Sequence, residues 1–366
     1  MRQFKFGWAV LMVVILAGCG SGNSDVSAKP AFASQVSFGD SLSDVGSYDV
    51  GTVLALGGGQ FTINAVSAVP ATPTNWTQLT AAKFGLAAPC AAMTGLDGDA
   101  AQGFYVMPPI SHAGCSGYAQ GGARVTNPVG VGNKLTGGAA ATLGMLTFPV
   151  VTQIQNFLTD NGGSFKGNEI VFVMAGANDV FMQAGLIGAA AITPASGVAA
   201  VQTAASELAA AVKTQIIAKG AQHVTVVNVP DIASTPQVTS IVDPTTRAQT
   251  GGLLNTLVTA FNAQLKADLP DSANVLNVDA YSASKDEVVN AAKYNLLNVT
   301  GTACNLTQPS PTNPLASSLV CNASNLNAGV TASDHYLFAD LVHPTPYGHS
   351  LFALYVLQAM TNKGWY

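Results

Sequence analysis

Charge is what this 366-residue sequence has least of: Asp, Glu, Lys and Arg together make up 9% of it, against roughly 25% in an average soluble domain. Lys and Arg number 14, Asp and Glu 19, and the net charge is −5. With no basic cluster beyond the first few residues, nucleic-acid binding, which depends on neutralising phosphates, is disfavoured. Long hydrophobic runs are missing too. Mean hydropathy is +0.33, yet no apolar stretch reaches the roughly 18–20 residues that span a bilayer. The sequence has no G-x-x-x-x-G-K-[ST] phosphate loop, no H-E-x-x-H zinc motif and no G-x-S-x-G nucleophile elbow, which removes three familiar routes to catalysis. It also has no C-x-x-C, and its five histidines do not cluster with its cysteines, so a zinc site is not indicated. What is present is a 48% apolar fraction, which excludes a wholly disordered chain. Glycines (37 of them) and other small polar residues take the place of charge at the surface.

The N-terminus carries an address. Arg2 and Lys5 precede an apolar stretch over 6–18 that ends in Leu16-Ala17-Gly18-Cys19. That length and charge order fit a signal peptide at 1–18, and the final four residues resemble a bacterial lipobox, in which Cys19 is lipidated and begins the mature chain. The rival reading is cleavage after Ala31-Phe32-Ala33, with Cys19 lost. Residues 19–32 then form a lipidated end and a Gly/Ser-rich tether, followed by one domain over 33–366. Setting Cys19 aside leaves Cys90, Cys115, Cys304 and Cys321, an even number suited to an oxidising compartment. Of the three possible connectivities, the local pairs Cys90–Cys115 and Cys304–Cys321 are expected.

Along the domain, short apolar runs alternate with helical patterns. Strands are expected over 33–38, 118–119, 169–174, 223–229 and 274–278. Helices are expected over 77–84 with Asn75 as cap, over 150–158, through Leu208, Val212 and Ile216 to Gly220, through Leu254, Leu257, Phe261 and Leu265, and over 346–362. This alternation predicts a doubly wound α/β fold, a mainly parallel sheet with helices on both faces. Reactive groups in such sheets collect at the carboxyl ends of strands, where Ser41, Gly122 and Asn178 are placed.

A serine nucleophile needs an imidazole base, a carboxylate to orient it and donors for the developing oxyanion. Asp340 precedes His343 by three residues, close enough for one turn to present both. Four ordered blocks carry these parts: Phe38-Gly39-Asp40-Ser41-Leu42-Ser43-Asp44, Gly117-Tyr118-Ala119-Gln120-Gly121-Gly122-Ala123, Gly176-Ala177-Asn178-Asp179 and Asp340-Leu341-Val342-His343-Pro344-Thr345. Together they resemble the GDSL, or SGNH, serine hydrolases, in particular secreted lipases and esterases. The resemblance implies a flavodoxin-like three-layer sandwich. It makes Ser41 the nucleophile, His343 the base and Asp340 its orienting partner, with an oxyanion hole built from Ser41, Gly122 and Asn178 and no cofactor. Gly117 stands where the family usually has Asn, which leaves Gly121 a rival to Gly122, and Ser47 stands where Asn is frequent.

Structural roles are expected for Asp40 as a turn residue, Asp44 as a helix N-cap and Asp179 as a loop brace, and His223 is expected to be a satisfied core histidine. The resulting expectation is an exported carboxylic ester hydrolase acting on lipid or short-chain acyl esters, anchored to the envelope through lipid, with Gly20 resembling an outer-membrane sorting signal. A lysophospholipase or acyltransferase, a carbohydrate O-deacetylase and a non-catalytic ligand-binding lipoprotein remain as alternatives.

Overall fold

The computed structural model describes residues 31–65 and 74–366. The expected signal peptide, Cys19 and the tether as far as residue 30 lie outside the described residues. Phe32, at the tether's end, packs edge-on against Phe84 and His223.

Four strands, β1 (Ser34–Gly39), β2 (Glu169–Met174), β3 (His223–Val227) and β4 (Val275–Val278), lie parallel and side by side in that order. Val36 stands opposite Val171, Val171 opposite Val224, and Val224 opposite Val275. These runs of β-branched and aromatic residues are apolar on both faces because both faces are covered. Alternate residues point to opposite sides. Val171 and Val173 enter one core with Val36, Phe38, Val224 and Val226, whereas Ile170, Phe172 and Met174 enter another with Leu276 and Val278.

Six helices cover the sheet: α1 (Trp76–Lys83), α2 (Val150–Asp160), α3 (Ala177–Gly188), α4 (Pro194–Ala211), α5 (Pro244–Asp268) and α6 (Pro346–Lys363). Helices α2 to α5 supply Ile154, Val180, Leu208, Leu257 and Phe261 to the first core, and α1 and α6 supply Trp76, Val356 and Met360 to the second. Each such fully buried aliphatic or Phe side chain contributes roughly 1.5–3 kcal/mol. The outcome is the expected three-layer, doubly wound α/β sandwich.

Local chemistry sets the helix ends. Asn75 caps α1 in a reciprocal capping box with Gln78, and Asp243 and Thr345 cap α5 and α6. Helix α4 stops at Ala211 and continues as one wider turn, Val212–Ile216, before reaching Gly220.

Some expectations need correction. The strand expected at 118–119 is only a bridge between Ser37 and Gly117, although Tyr118 and Gln120 donate to the Ser37 and Gly39 carbonyls at 2.8 and 3.1 Å. This stretch therefore flanks β1 as a rudimentary edge, and the order edge–β1–β2–β3–β4 reproduces the 2-1-3-4-5 sequence of flavodoxin-like sheets, with the topological switch at β1/β2. Strand β3 ends at Val227, two residues early. His223 is not a satisfied core histidine: it is half-buried, its Nδ1 has no hydrogen-bond partner among the described residues, and it packs edge-on against Phe32 and Trp365. The excursion after β1 contains a hairpin, Met93–Asp97 with Val106–Ser111, that the sequence did not signal. Cys90 is bonded to Cys115 and Cys304 to Cys321, the two local pairs expected.

Candidate active site

Ser41 lies in the turn that leaves the carboxyl end of β1. The turn can approach β2 because Gly39 has no side chain: at φ +154° its Cβ would meet the Met174 carbonyl at 2.1 Å. Gln153 on α2 grips the same residue, accepting from the Gly39 amide and donating to its carbonyl, each at 2.8 Å. Asp40 then accepts the Leu42 amide at 3.1 Å and its carbonyl accepts the Ser43 amide, closing the turn beneath Ser41.

Asp340 and His343 occupy the loop before α6. Asp340 Oδ1 accepts the Val342 and His343 amides at 3.0 and 2.9 Å, an Asx-type turn that presents both side chains on one side. His343 Nδ1 lies 2.8 Å from both Asp340 oxygens. Its Nε2 lies 2.9 Å from Ser41 Oγ, across 302 residues of chain. Burial pushes the Asp340 carboxyl up, but the charge of His343 and hydrogen bonds from His343 and its neighbours outweigh it and hold it well below the usual carboxylate range. With Asp340 ionised, the imidazole is set to give Nδ1–H to the carboxylate and leave Nε2 to accept from Ser41.

The remaining expected donors border the same cavity. Asn178, in the first turn of α3, donates one Nδ2 hydrogen to the Ala123 carbonyl at 2.9 Å. That bond fixes the amide plane, and a second N–H remains for a ligand. Gly121 and Gly122 differ in what holds them, through Asp44. Its Oδ2 accepts the Gly121 amide at 2.8 Å, which commits that donor, whereas Gly122 borders the cavity. Gly122 adopts φ +78°, and a Cβ there would meet the Val131 carbonyl at 1.9 Å.

Asp44 is therefore not an N-cap. It accepts the Gly46, Ser47 and Gly121 amides and the Ser47 hydroxyl, tying the nucleophile turn to the second block, while Val50 begins the next helix without a side-chain cap. The Ser47 departure is thus absorbed by Asp44. Asp179 braces a loop as expected, bonded to Arg124 at 2.9 Å and to the Val125 amide at 3.0 Å; burial pushes its carboxyl up against the pull of Arg124. Of the other histidines near His343 in sequence, His335 stacks on Tyr347. His349 is fully buried, and desolvation, helped by the charge of His343, lowers it to about 3, so it stays neutral.

The cavity has a volume of about 440 Å³, within the roughly 300–1,000 Å³ of small-molecule sites. Ser41, Gly122, Asn178 and His343 line it together with other polar residues such as Thr142, Asp231 and Thr235, and Phe61, Val131, Leu143, Met145, Leu315 and Leu319 are among its apolar walls. Several supports escaped sequence reading: Gln153, the Phe61 ring centred 4.9 Å from that of His343, and the Ser318 amide donating to Asp340 Oδ2 at 2.8 Å. All act across more than 20 residues, and only a polar residue set in an apolar helix face, as at Gln153, offered any signal.

Comparison with known proteins identifies a family. The family described as GDSL-like Lipase/Acylhydrolase matches residues 36–356. No curated protein matches the chain. Among solved structures, LAE5, described as an alpha/beta hydrolase enzyme from the metagenome of Lake Arreo, Spain, covers 90% of this chain and 96% of its own at 15% identity. Its TM-score is 0.38, too low to argue from. The family match spans nearly the whole domain and all four blocks, and the chain belongs to the GDSL-like lipase/acylhydrolase family of hydrolases.

Proposed function

We propose that the protein hydrolyses carboxylic esters through an acyl-enzyme on Ser41. The observation that carries this reading is the continuous relay from Ser41 Oγ to His343 Nε2 at 2.9 Å and from His343 Nδ1 to Asp340 at 2.8 Å. Ser41 Oγ attacks the ester carbonyl and passes its proton to His343 Nε2, while Asp340 stabilises the imidazolium. The carbonyl oxygen becomes an oxyanion, held by the Ser41 and Gly122 amides and the free Asn178 N–H. The intermediate collapses, the leaving alcohol takes the proton from His343, and water repeats the sequence to free the acid. Each oxyanion donor is worth about 3 kcal/mol, or roughly a hundred- to thousandfold in turnover.

The apolar walls favour an ester with an extended apolar acyl chain over an acetylated sugar, whose hydroxyls would face Phe61, Leu143 and Met145. The two disulfides support an exported chain, and lipidation of Cys19 with placement at the outer membrane is part of this proposal. The test is a panel of esters from acetyl to long acyl, with wild type and Ser41→Ala. Longer acyl esters are expected to turn over best and the variant to be inactive. Release of acetate from acetylated glycans in preference to every acyl ester would overturn the substrate assignment.

A further inference from the structure

Two loops meet behind the imidazole. Residues 60–64 carry Phe61, which lies against His343, and Thr62, whose hydroxyl donates to the Pro344 carbonyl at 2.9 Å. Residues 313–322 carry Ser318, whose amide donates to Asp340 Oδ2.

Asn64 joins the two. Its backbone amide donates to the Cys321 carbonyl at 2.7 Å. Its Nδ2 lies 2.9 Å from the Cys321 carbonyl, 3.0 Å from that of Gln60, 3.1 Å from that of Ser318 and 3.2 Å from that of Thr62, so its two N–H groups are shared among these acceptors. Its Oδ1 accepts the Gln60 amide at 2.9 Å. The second loop has a covalent tie as well. Cys321 is bonded to Cys304, whose amide donates at 2.9 Å to the carbonyl of Ala339, the residue before Asp340.

These ties matter because the two Asp340 oxygens are held differently. Both face the imidazole, but Oδ1 also takes two amides from its own turn, whereas Oδ2 takes the Ser318 amide. The imidazole sits equally close to both oxygens, so its aim at Ser41 depends on the carboxylate plane. Ser318 fixes that plane from outside the turn.

We infer that residues 313–322 are a positioning device for the Asp340–His343 pair, in which the Ser318 amide holds Asp340, and Asn64 and the Cys304–Cys321 disulfide hold Ser318. The inference rests on the hydrolase reading above.

Ser318→Pro tests it directly. Ser318 opens a 3₁₀ turn, Ser318–Val320, and Ser317 before it is extended at φ −138°, ψ 150°, the backbone that proline demands of its predecessor. Proline is tolerated at the first position of such a turn. The Ser318 hydroxyl has no hydrogen-bond partner among the described residues, so no other bond is lost, but the proline ring carbon takes the place of the N–H and pushes away Asp340 Oδ2, which lies 2.8 Å from that nitrogen. Loss of a hydrogen bond to a charged group alone predicts a fall in kcat of about ten- to a hundredfold, a lower bound once the carboxylate is displaced, with KM within about twofold. Asn64→Ala should lower kcat in the same way but less, and combining the two should cost no more than Ser318→Pro alone, because both act through one bond. Should Ser318→Pro not fold, Asn64→Ala and a Cys304→Ser/Cys321→Ser double variant carry the same test, each lowering kcat at constant KM and together adding little.

Unchanged kcat in a folded Ser318→Pro variant, or in both substitutes, overturns the inference, as does a multiplicative loss on combination. A role confined to stability would lower Tm and leave kcat at 25 °C alone. Wild type without ester turnover overturns the hydrolase reading and this inference with it, whereas active wild type with unaffected variants overturns this inference only.

Discussion

Replacing Asp40 by Asn should remove one pH-dependent contribution to stability. Asp40 is 2% exposed and accepts one hydrogen bond, from the Leu42 amide. Desolvation raises its carboxyl from 3.8 to about 7; the Leu42 amide and His343 oppose the rise, and Asp179 and Asp44 add to it. Between about pH 4 and pH 7 the folded state therefore binds a proton that the unfolded chain has released. The associated stability is complete below pH 4 and is lost as pH rises through 7. The gap between 3.8 and about 7 is worth about 4 kcal/mol. Asn keeps an acceptor for the Leu42 amide and carries no ionisable group. Any cost of burying its NH₂ group, about 1–3 kcal/mol, is the same at every pH, so the diagnostic quantity is the change in the difference and not its offset. Urea unfolding of wild type and Asp40→Asn at pH 4 and pH 8 should show the variant gaining about 4 kcal/mol on wild type between the two. Asp44 and Asp179, also raised by burial, are common to both proteins and cancel. A difference that stays the same at the two pH values would refute the argument.

Other outcomes follow from the same geometry. Asn178→Ala should cut kcat by about a hundred- to thousandfold with little change in KM, read by steady-state kinetics on a good ester. Asp340→Asn should cut kcat by about 10⁴-fold: either placement of the amide sets an NH₂ group against the Ser318 amide or against the Val342 and His343 amides. Asp44→Asn should destabilise by about 1–3 kcal/mol and lower kcat, because the new NH₂ group meets either the Gly46 and Ser47 amides or the Gly121 amide; denaturation and kinetics on one preparation report both. Ala140→Trp, at a half-buried helical position on the cavity wall, should lower kcat/KM for long acyl esters by about tenfold or more relative to short ones.

The sheet was legible because burial on both faces leaves an unmistakable trace: Glu169–Met174 needed no partner to be read as a strand. Helices with strong caps or a clear apolar stripe, at Asn75 and at Leu254 to Leu265, were equally plain. Irregular pieces were not. The hairpin at Met93–Asp97 and Val106–Ser111 exposes most of its second strand, so no alternation marks it. The edge at 116–120 forms only a few bonds to β1. The motif residues were legible as types, since serine chemistry needs a base, a carboxylate and donors, but their supports were not. Asp44 reads locally as a cap, and only the folded chain brings Gly121, 77 residues away, to its second oxygen. The Ser318 bond is made by a backbone amide, which every residue but proline possesses and no sequence pattern advertises.

The central claim is that Ser41 itself becomes acylated, and mass spectrometry of the protein quenched during turnover of a slowly hydrolysed ester tests it most directly. The account predicts one acyl group per chain, on the peptide that contains Ser41, absent in Ser41→Ala and formed far more slowly in His343→Ala. Ester turnover by Ser41→Ala at the wild-type rate, or the ester's acyl group mapped to any residue other than Ser41, would contradict it.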